Sequence, residues 1–322
     1  MKLRNKKILF IGTGFFDYEE SIIKELKDRG ALVYYFSTVF STPYSWFLIR
    51  TRQEDKCVYA FSKRLTKLIS VQPNDIDCIF IIKAENFLQC HMDLLKEKYP
   101  NTPIVLYLWD SLNRLPNRDV LLNNLKNIQT FDRKDANDYN LIFRPLFCRV
   151  IDDTNIPIKY DLSFVGSDHT IRYSLLKRIG SQLDDAGLSY KFVLRIGRLA
   201  YILKRNLSHN ITNNTESWFV KNPIDYDEYL RISKQSNVIL DIANPMQSGL
   251  TIRSIEAMGL GKKILTTNND IINYNIDHNY YRILDNSLLR LDMDFIKDHR
   301  KIHYNLDNFR LEKFIDDIFA NI

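Results

Sequence analysis

The stretch from Asn244 to Asn268, NPMQSGLTIRSIEAMGLGKKILTTN, gathers residue types that suit a phosphate-bearing ligand. Pro245 and Gly249 precede a run in which Ile252, Ile255 and Met258 recur at helical spacing, with the Thr251 hydroxyl at its start and Gly259 and Gly261 at its close. A glycine-led loop feeding a helix aims backbone N–H groups and the positive end of the helix dipole at one point, each charge–dipole contact contributing roughly 0.3–1 kcal/mol. Arg253 falls in the first turn, where the dipole alone disfavours a cation; a bound diphosphate removes that conflict. Glu256 comes three residues later on nearly the same face, where a carboxylate can accept hydrogen bonds from ribose hydroxyls. The segment reads equally as an amphipathic helix, closed by glycine, that packs on a sheet.

Other candidates stand at the ends of apolar runs. Asp110 follows Ile104–Trp109 and is a candidate base for an acceptor hydroxyl, or the cap of the turn before Ser111. Asp17 is a second candidate base, and His91, read as a surface histidine on a helix beside Cys90, a third. Gly12, Thr13, Gly14 and Phe15 form a turn after the first strand; Gly14 and Phe15 are candidates for close approach of an acceptor. A dinucleotide fingerprint needs a third glycine at position 17, where Asp17 stands, so a nicotinamide enzyme is disfavoured. Lys83 and Glu85 follow Cys78–Ile82 and form either an ion pair or part of a site, with Lys83 the candidate. Arg195 and Arg198 flank Gly197 after another run, where cations would neutralise a leaving diphosphate or be merely solvated. The triplets Asp225–Asp227 and Asp292–Asp294 resemble metal-holding DxD motifs, but both fall where helices begin and the dipole already favours acids, so no metal is expected.

These positions need a scaffold that ends its strands at one edge. Apolar, β-prone runs at Ile8–Gly12, Leu32–Phe36, Cys78–Ile82 and Ile104–Trp109 alternate with amphipathic stretches such as Glu19–Arg29 and His91–Lys98. That alternation predicts a doubly wound parallel sheet with both faces covered. Ile151–Lys159, rich in Asp, Thr, Asn and Pro, reads as a linker. The pattern then restarts with strands at Tyr160–Val165, Tyr190–Arg195, Val238–Ile242 and Lys263–Thr267, and helices at Ile171–Ala186, Tyr226–Lys234, Thr251–Leu260 and Leu311–Ala320. Two Rossmann-like domains facing a cleft are expected, residues 1–155 on the acceptor side and 156–322 on the donor side, with the last helix, 311–321, packing back on the first. The Asn-rich segment Tyr201–Ser217 reads as a surface loop.

Composition bounds the function. The 322 residues are 45% hydrophobic and 26% charged, a globular balance, and no apolar run approaches the roughly 20 residues of a membrane-spanning helix. Four scattered cysteines without CxxC spacing predict reduced thiols in the cytoplasm. The net charge of +6 admits anionic ligands or lipid, whereas the lack of zinc-finger spacing, an aromatic RNP pattern or a long basic block disfavours nucleic acid. Tyr44–Lys67 mixes Trp46, Phe47 and Leu48 with six cations and reads as a solvated face or a contact with anionic lipid.

The string GLTIRSIEAMGLGKKILTTN, Gly249–Asn268, resembles the donor-binding signature of bacterial GT-B glycosyltransferases of surface polysaccharide synthesis, the lipopolysaccharide biosynthesis and CgeB-like group. The resemblance is sharp over these residues and looser at YLWDS (Tyr107–Ser111), FDRKDANDY (Phe131–Tyr139) and KNPIDYDEYL (Lys221–Leu230). It implies a metal-independent sugar transfer from a nucleotide diphosphate sugar, a co-substrate rather than a cofactor, to a saccharide or lipid-linked acceptor at the cytoplasmic face of the inner membrane. It also implies that Gly249, Leu250, Thr251 and Arg253 bind the diphosphate and Glu256 the ribose. Eight residues before Glu256, where many such enzymes place an acid against the sugar, this chain has Ser248. A nucleotide-sugar epimerase or dehydrogenase, and a non-catalytic nucleotide-sugar binding module, are the alternatives.

Overall fold

The computed structural model describes residues 3–14, 16–38, 54–152, 154, 156–168, 171–206, 211, 213–222, 224–245, 247–285 and 290–320. Phe15 and the aromatic stretch Tyr44–Leu48 lie outside them. The chain divides into two units, Met1–Leu146 with Met246–Gly249 and Asn308–Ile322, and Phe147–Pro245 with Leu250–Asp307.

The first unit runs β1 (Lys7–Gly12), α1 (Phe16–Asp28), β2 (Leu32–Ser37), α2 (Glu54–Ser70), β3 (Cys78–Ile82), α3 (Gln89–Lys98), β4 (Ile104–Leu108), α4 (Arg118–Asn124), β5 (Asn127–Thr130), α5 (Arg133–Tyr139) and β6 (Ile142–Phe143). All six strands pair in parallel in the order β2-β1-β3-β4-β5-β6, so the winding reverses between β1 and β3. Every residue of β3 is buried, as a strand covered on both faces requires. The last helix, Leu311–Ile318, belongs to this unit: Arg29 pairs with Asp316 at 2.6 Å, and the Phe314 ring meets Tyr107 edge-on at 4.8 Å.

In the second unit β7 (Tyr160–Ser167), α6 (Arg172–Asp185), β8 (Tyr190–Arg195), α7 (Arg198–Asn206), α8 (Asn213–Glu216), β9 (Phe219–Val220), α9 (Tyr226–Lys234), β10 (Ser236–Asp241), α10 (Ile252–Gly259), β11 (Lys263–Thr266), β12 (Tyr281–Ile283) and α11 (Met293–Lys297) follow in turn. The sheet order β12-β11-β10-β7-β8-β9 is again wholly parallel and reverses between β7 and β10. Ligands of open α/β sheets bind outside the carboxyl ends of the strands at such reversals.

The expected doubly wound parallel sheets are present. The segment read as a loop from Tyr201 is instead helical as far as Asn206, because Tyr201 and Lys204 turn inward, Tyr201 being 8% exposed and Lys204 pairing with Asp168 at 2.6 Å. His91 is buried rather than on the surface; its Nδ1 accepts from the Leu88 N–H at 2.9 Å and caps α3. The DxD aspartates cap helices, Asp225 accepting from the Glu228 N–H at 2.8 Å and Asp292 from the Phe295 N–H at 2.9 Å.

At the carboxyl end of β5, Asp132 accepts hydrogen bonds from the Ser111 hydroxyl and from the Ser248 hydroxyl and N–H, and caps α5 through the N–H groups of Lys134 and Asp135. This network holds residues 247–249 within the first unit. Its second carboxyl, Asp135, accepts from the Leu112 N–H at 2.6 Å; burial, with the Asp132 charge adding to it, pushes it up to about 6. The native chain therefore holds this proton more tightly than the unfolded one, a stabilisation that is complete below about pH 4 and lost as pH rises through 6. Asp135→Asn, which keeps an acceptor for Leu112, is expected to raise stability at pH 7 by up to about 3 kcal/mol and to bring no gain near pH 4, read from urea unfolding at both pH values.

Candidate functional site

In the second unit the reversal is organised around Asp241, the last residue of β10 and fully buried. Its carboxylate accepts from Arg253 Nη1 at 2.8 Å, from the Ser254 hydroxyl at 2.8 Å and from the Thr266 hydroxyl at 3.4 Å. Arg253 also donates from Nε and Nη2 to the Val165 carbonyl of β7, at 3.1 and 2.9 Å, and lies 4.7 Å over the Phe164 ring. Gly166 makes room for it, since a Cβ there would fall 2.8 Å from Arg253 Nη2. One guanidinium thus joins the two strands that flank the reversal.

A second, Arg172, opens α6 and donates to the carbonyls of Ser167 and Ile242, each at 3.0 Å. Burial, and then the nearby Arg253 charge, push Arg172 down to about 10 against the pull of Asp241 and Asp168. Two half-buried cations beside Asp241, which bonds Arg253 directly and acts on Arg172 through its charge, leave positive charge that an anion would neutralise.

Helix α10 begins here. Thr251 is its N-cap, its hydroxyl accepting from the Ser254 N–H at 3.4 Å. Gly261, with φ +62°, closes it: its N–H bonds the Met258 carbonyl and the Lys262 N–H bonds that of Ala257, at 3.0 and 2.9 Å. Gly259 is a helical residue whose missing side chain admits the Val150 carbonyl, 2.4 Å from where a Cβ would stand.

The predicted donor residues separate into two groups. Thr251, Arg253 and Glu256 share α10 and its cap, and the buried Leu250 donates its N–H to the Tyr274 hydroxyl at 3.3 Å. Ser248 and Gly249 belong to the first unit, Ser248 on Asp132 and Gly249 against Phe131, whose carbonyl oxygen lies 2.1 Å from the place of a Cβ. Glu256 is only 1% exposed; it accepts from the Tyr226 hydroxyl at 2.7 Å and the Arg149 N–H at 3.3 Å, while the Arg149 guanidinium stacks 3.7 Å over the Tyr226 ring. Burial and the Glu256 charge raise Tyr226, so it keeps its proton.

Arg195, exposed at the end of β8, borders a hollow of about 290 Å³ with Ser167, Asp168, Gly197 and Lys204. The Asp168 side chain is 8% exposed and its Oδ1 has no hydrogen-bond partner among the described residues. Sequence reasoning passed over Asp241, Arg172 and Asp168; the signal was a charged residue within a few positions of the end of a mostly apolar strand.

The first unit has its own charged edge. The turn after β1 is closed from within: Glu19, 2% exposed, accepts from the N–H groups of Thr13 and Gly14 at 2.5 and 3.2 Å and from the Tyr35 hydroxyl at 2.5 Å. The Gly14 amide expected to meet an acceptor therefore already serves a carboxylate. Asp17 is exposed in the first turn of α1. Asp110 pairs with Lys83 at 3.1 Å and Arg114 at 2.5 Å, and Lys83 with Glu85 at 2.8 Å. Burial works against the Lys83 ammonium, but Glu85 and Asp110 outweigh it and raise its pKa.

Lys83 and Ala84 both have positive φ, +72° and +54°, and the Ala84 N–H bonds the Ile82 carbonyl at 2.9 Å, the mark of a strained γ-turn centred on Lys83. Such backbone is kept where the surroundings over-determine it, often at functional sites.

No protein-family model matches the chain, and no curated protein matches it by sequence. Among solved structures, the catalytic domain of starch synthase IV from Arabidopsis thaliana, bound to ADP and acarbose, is similar with a TM-score of 0.55 at 9% identity, over 97% of this chain and 95% of that one. UDP-GlcNAc 2-epimerase from Neisseria meningitidis bound to UDP-GlcNAc is similar with a TM-score of 0.54 at 11% identity, over 98% and 100%. At these identities the likeness is one of fold: the chain has the GT-B fold, built of two Rossmann-like doubly wound parallel-sheet domains.

Lys83→Gly and Lys83→Ala both remove the ammonium and differ in backbone tolerance. The glycine variant is expected to be the more stable by about 1 kcal/mol in urea unfolding, because glycine adopts positive φ without penalty. Equal stability, or a more stable alanine variant, contradicts a strained turn.

Proposed function

We propose that this chain is a glycosyltransferase that moves a sugar from a nucleoside diphosphate donor, held by the second unit, to a saccharide or lipid-linked acceptor. The observation that carries the reading is the pair of half-buried guanidinium groups at the sheet reversal, Arg253 on Asp241 and Arg172 on the Ser167 and Ile242 carbonyls, beside the start of α10. A diphosphate placed there meets two fixed cations and a helix N-terminus, and the same charges stabilise it as the leaving group when the acceptor oxygen attacks the anomeric carbon. No metal is needed for that neutralisation. Arg195 adds an exposed cation at the rim. Glu256 reaches the ribose if its Oε2 exchanges the Tyr226 hydroxyl for a ribose hydroxyl. On the first unit Asp110 is the proposed base, aligned by Lys83 and Arg114, with Asp17 the second candidate.

The resemblance of Gly249–Asn268 supports a place in bacterial surface polysaccharide synthesis, lipopolysaccharide O-antigen or capsule, in the cytoplasm at the inner membrane. Transfer releases a nucleoside diphosphate, epimerisation leaves the nucleotide sugar intact and a binding module does neither, so product analysis separates the three readings.

A thermal-shift panel of UDP, GDP, CMP and dTDP sugars is expected to raise the midpoint for one base, since a ligand of the native state stabilises it. Arg195→Ala should weaken that nucleotide about tenfold, the loss of one hydrogen bond to a charged group, and leave the unliganded midpoint unchanged. If no nucleotide moves the midpoint, the donor site is misplaced. Asp110→Asn is expected to lower kcat by about 10²–10⁴-fold with donor affinity retained, measured in a transfer assay; undiminished turnover removes Asp110 as the base.

A further inference from the structure

Helix α7 turns aliphatic side chains outward. Ile202 and Leu203 are 51% and 55% exposed, whereas Tyr201 and Lys204 face the body of the unit. Arg198, Ile202 and Arg205, four and three residues apart, form one stripe of the helix, with Leu203 beside it. The helix carries no acidic residue in its sequence RLAYILKRN. A hollow of about 290 Å³ opens against this stripe, lined by Arg198, Tyr201, Ile202, Arg205 and Lys221. The carboxylates seen to answer these cations are Glu216, 2.9 Å from Arg205, and Asp168, which holds Lys204. Arg198 and Lys221 add further positive charge along the same face, both of them exposed.

We propose that this face of α7 docks the second unit on an anionic lipid bilayer, Ile202 and Leu203 entering below the headgroups while Arg198, Arg205 and Lys221 meet lipid phosphates. Neighbouring exposed aliphatics edged by long cations, on a short helix without acids, match an interfacial helix: apolar area enters the headgroup boundary and each cation gains from the negative surface potential. Charge complementarity selects a bilayer with anionic lipid over a neutral one. A helix of nine residues is about 13.5 Å long, so the attachment is peripheral, reversible and sensitive to salt. This contact is independent of the nucleotide-sugar reading, because no residue substituted to test it has been given to the donor site.

The test is sedimentation of the full chain with vesicles of phosphatidylcholine containing phosphatidylglycerol, and with phosphatidylcholine alone, at low and high salt. Retention is expected on the anionic vesicles at low salt and not on the neutral ones. Ile202→Ser with Leu203→Ser, and separately Arg205→Gln with Lys221→Gln, should each reduce the partition constant about tenfold or more, with the thermal midpoint checked to show that the variants fold. Leu203→Trp should shift its emission to shorter wavelength when anionic vesicles are added. Millimolar inorganic phosphate should not release the protein; release would mark a site for a soluble anion and overturn the proposal. So would failure of the wild-type chain to sediment, or retention of both double variants at the wild-type level. A nucleotide-induced thermal shift that survives in the serine variant while vesicle binding is lost distinguishes this surface from the donor site.

Discussion

Much of the second unit hangs on one buried carboxylate. Asp241 is fully buried at the end of a central strand, and an ionised carboxyl in such a place is tolerated only when its oxygens are satisfied. Arg253, Ser254 and Thr266 satisfy them: the first turn of α10 supplies two and the end of β11 the third. The direction of α10 is set by that requirement, since the helix must bring Arg253 and Ser254 to bear on the same acid. Removing either member of the Arg253–Asp241 pair would leave a buried charge uncompensated, at a cost of about 3–5 kcal/mol. The start of α10 is thus fixed by the protein's own contacts, which is the preorganisation that the proposed diphosphate site would need.

The first unit solves the same problem in the opposite sense. Its glycine turn after β1 also directs N–H groups toward one point, but the anion is Glu19, supplied from α1 in the same unit. Gly12 leaves room for that carboxylate, which would stand 2.4 Å from a Cβ there. With its amides committed, the turn has less to offer an external phosphate, and the paired charges of this edge lie beyond it, at the Lys83 turn after β3 and at Asp110 after β4. Two sheets of similar winding therefore present different edges, one cationic, the other a half-exposed chain of ion pairs.

The long apolar strands and amphipathic helices were legible in the sequence because both faces of each central strand are covered, which leaves unbroken apolar runs such as Cys78–Ile82. β5 was not, because Asn127–Thr130 is polar; Gln129 and Thr130 are buried at 1% and 0% by tertiary packing that no local pattern records. α7 was hidden by its reversed amphipathicity, with aliphatics outward and a lysine inward. In the candidate site, Arg253 and Thr251 were readable from spacing, and Asp110 from its place after a strand. Asp241 and Arg172 were not, since their importance lies in partners supplied by other strands.

The glycines of the signature segment show where motif reading and geometry part. Gly249 looks like a component of a phosphate-binding turn and Gly259 like a helix stop, yet each is required by a carbonyl from elsewhere in its own unit, Phe131 for the former and Val150 for the latter. A side chain at either position would push α10 or its lead-in away from the places that Asp132 and Asp241 give them. The segment therefore encodes, in the first instance, how a helix is seated. In the proposed donor site the ligand contacts follow from that seating, through Arg253 and the first turn of the helix, so that a pattern of small residues can mark a site without supplying its contacts.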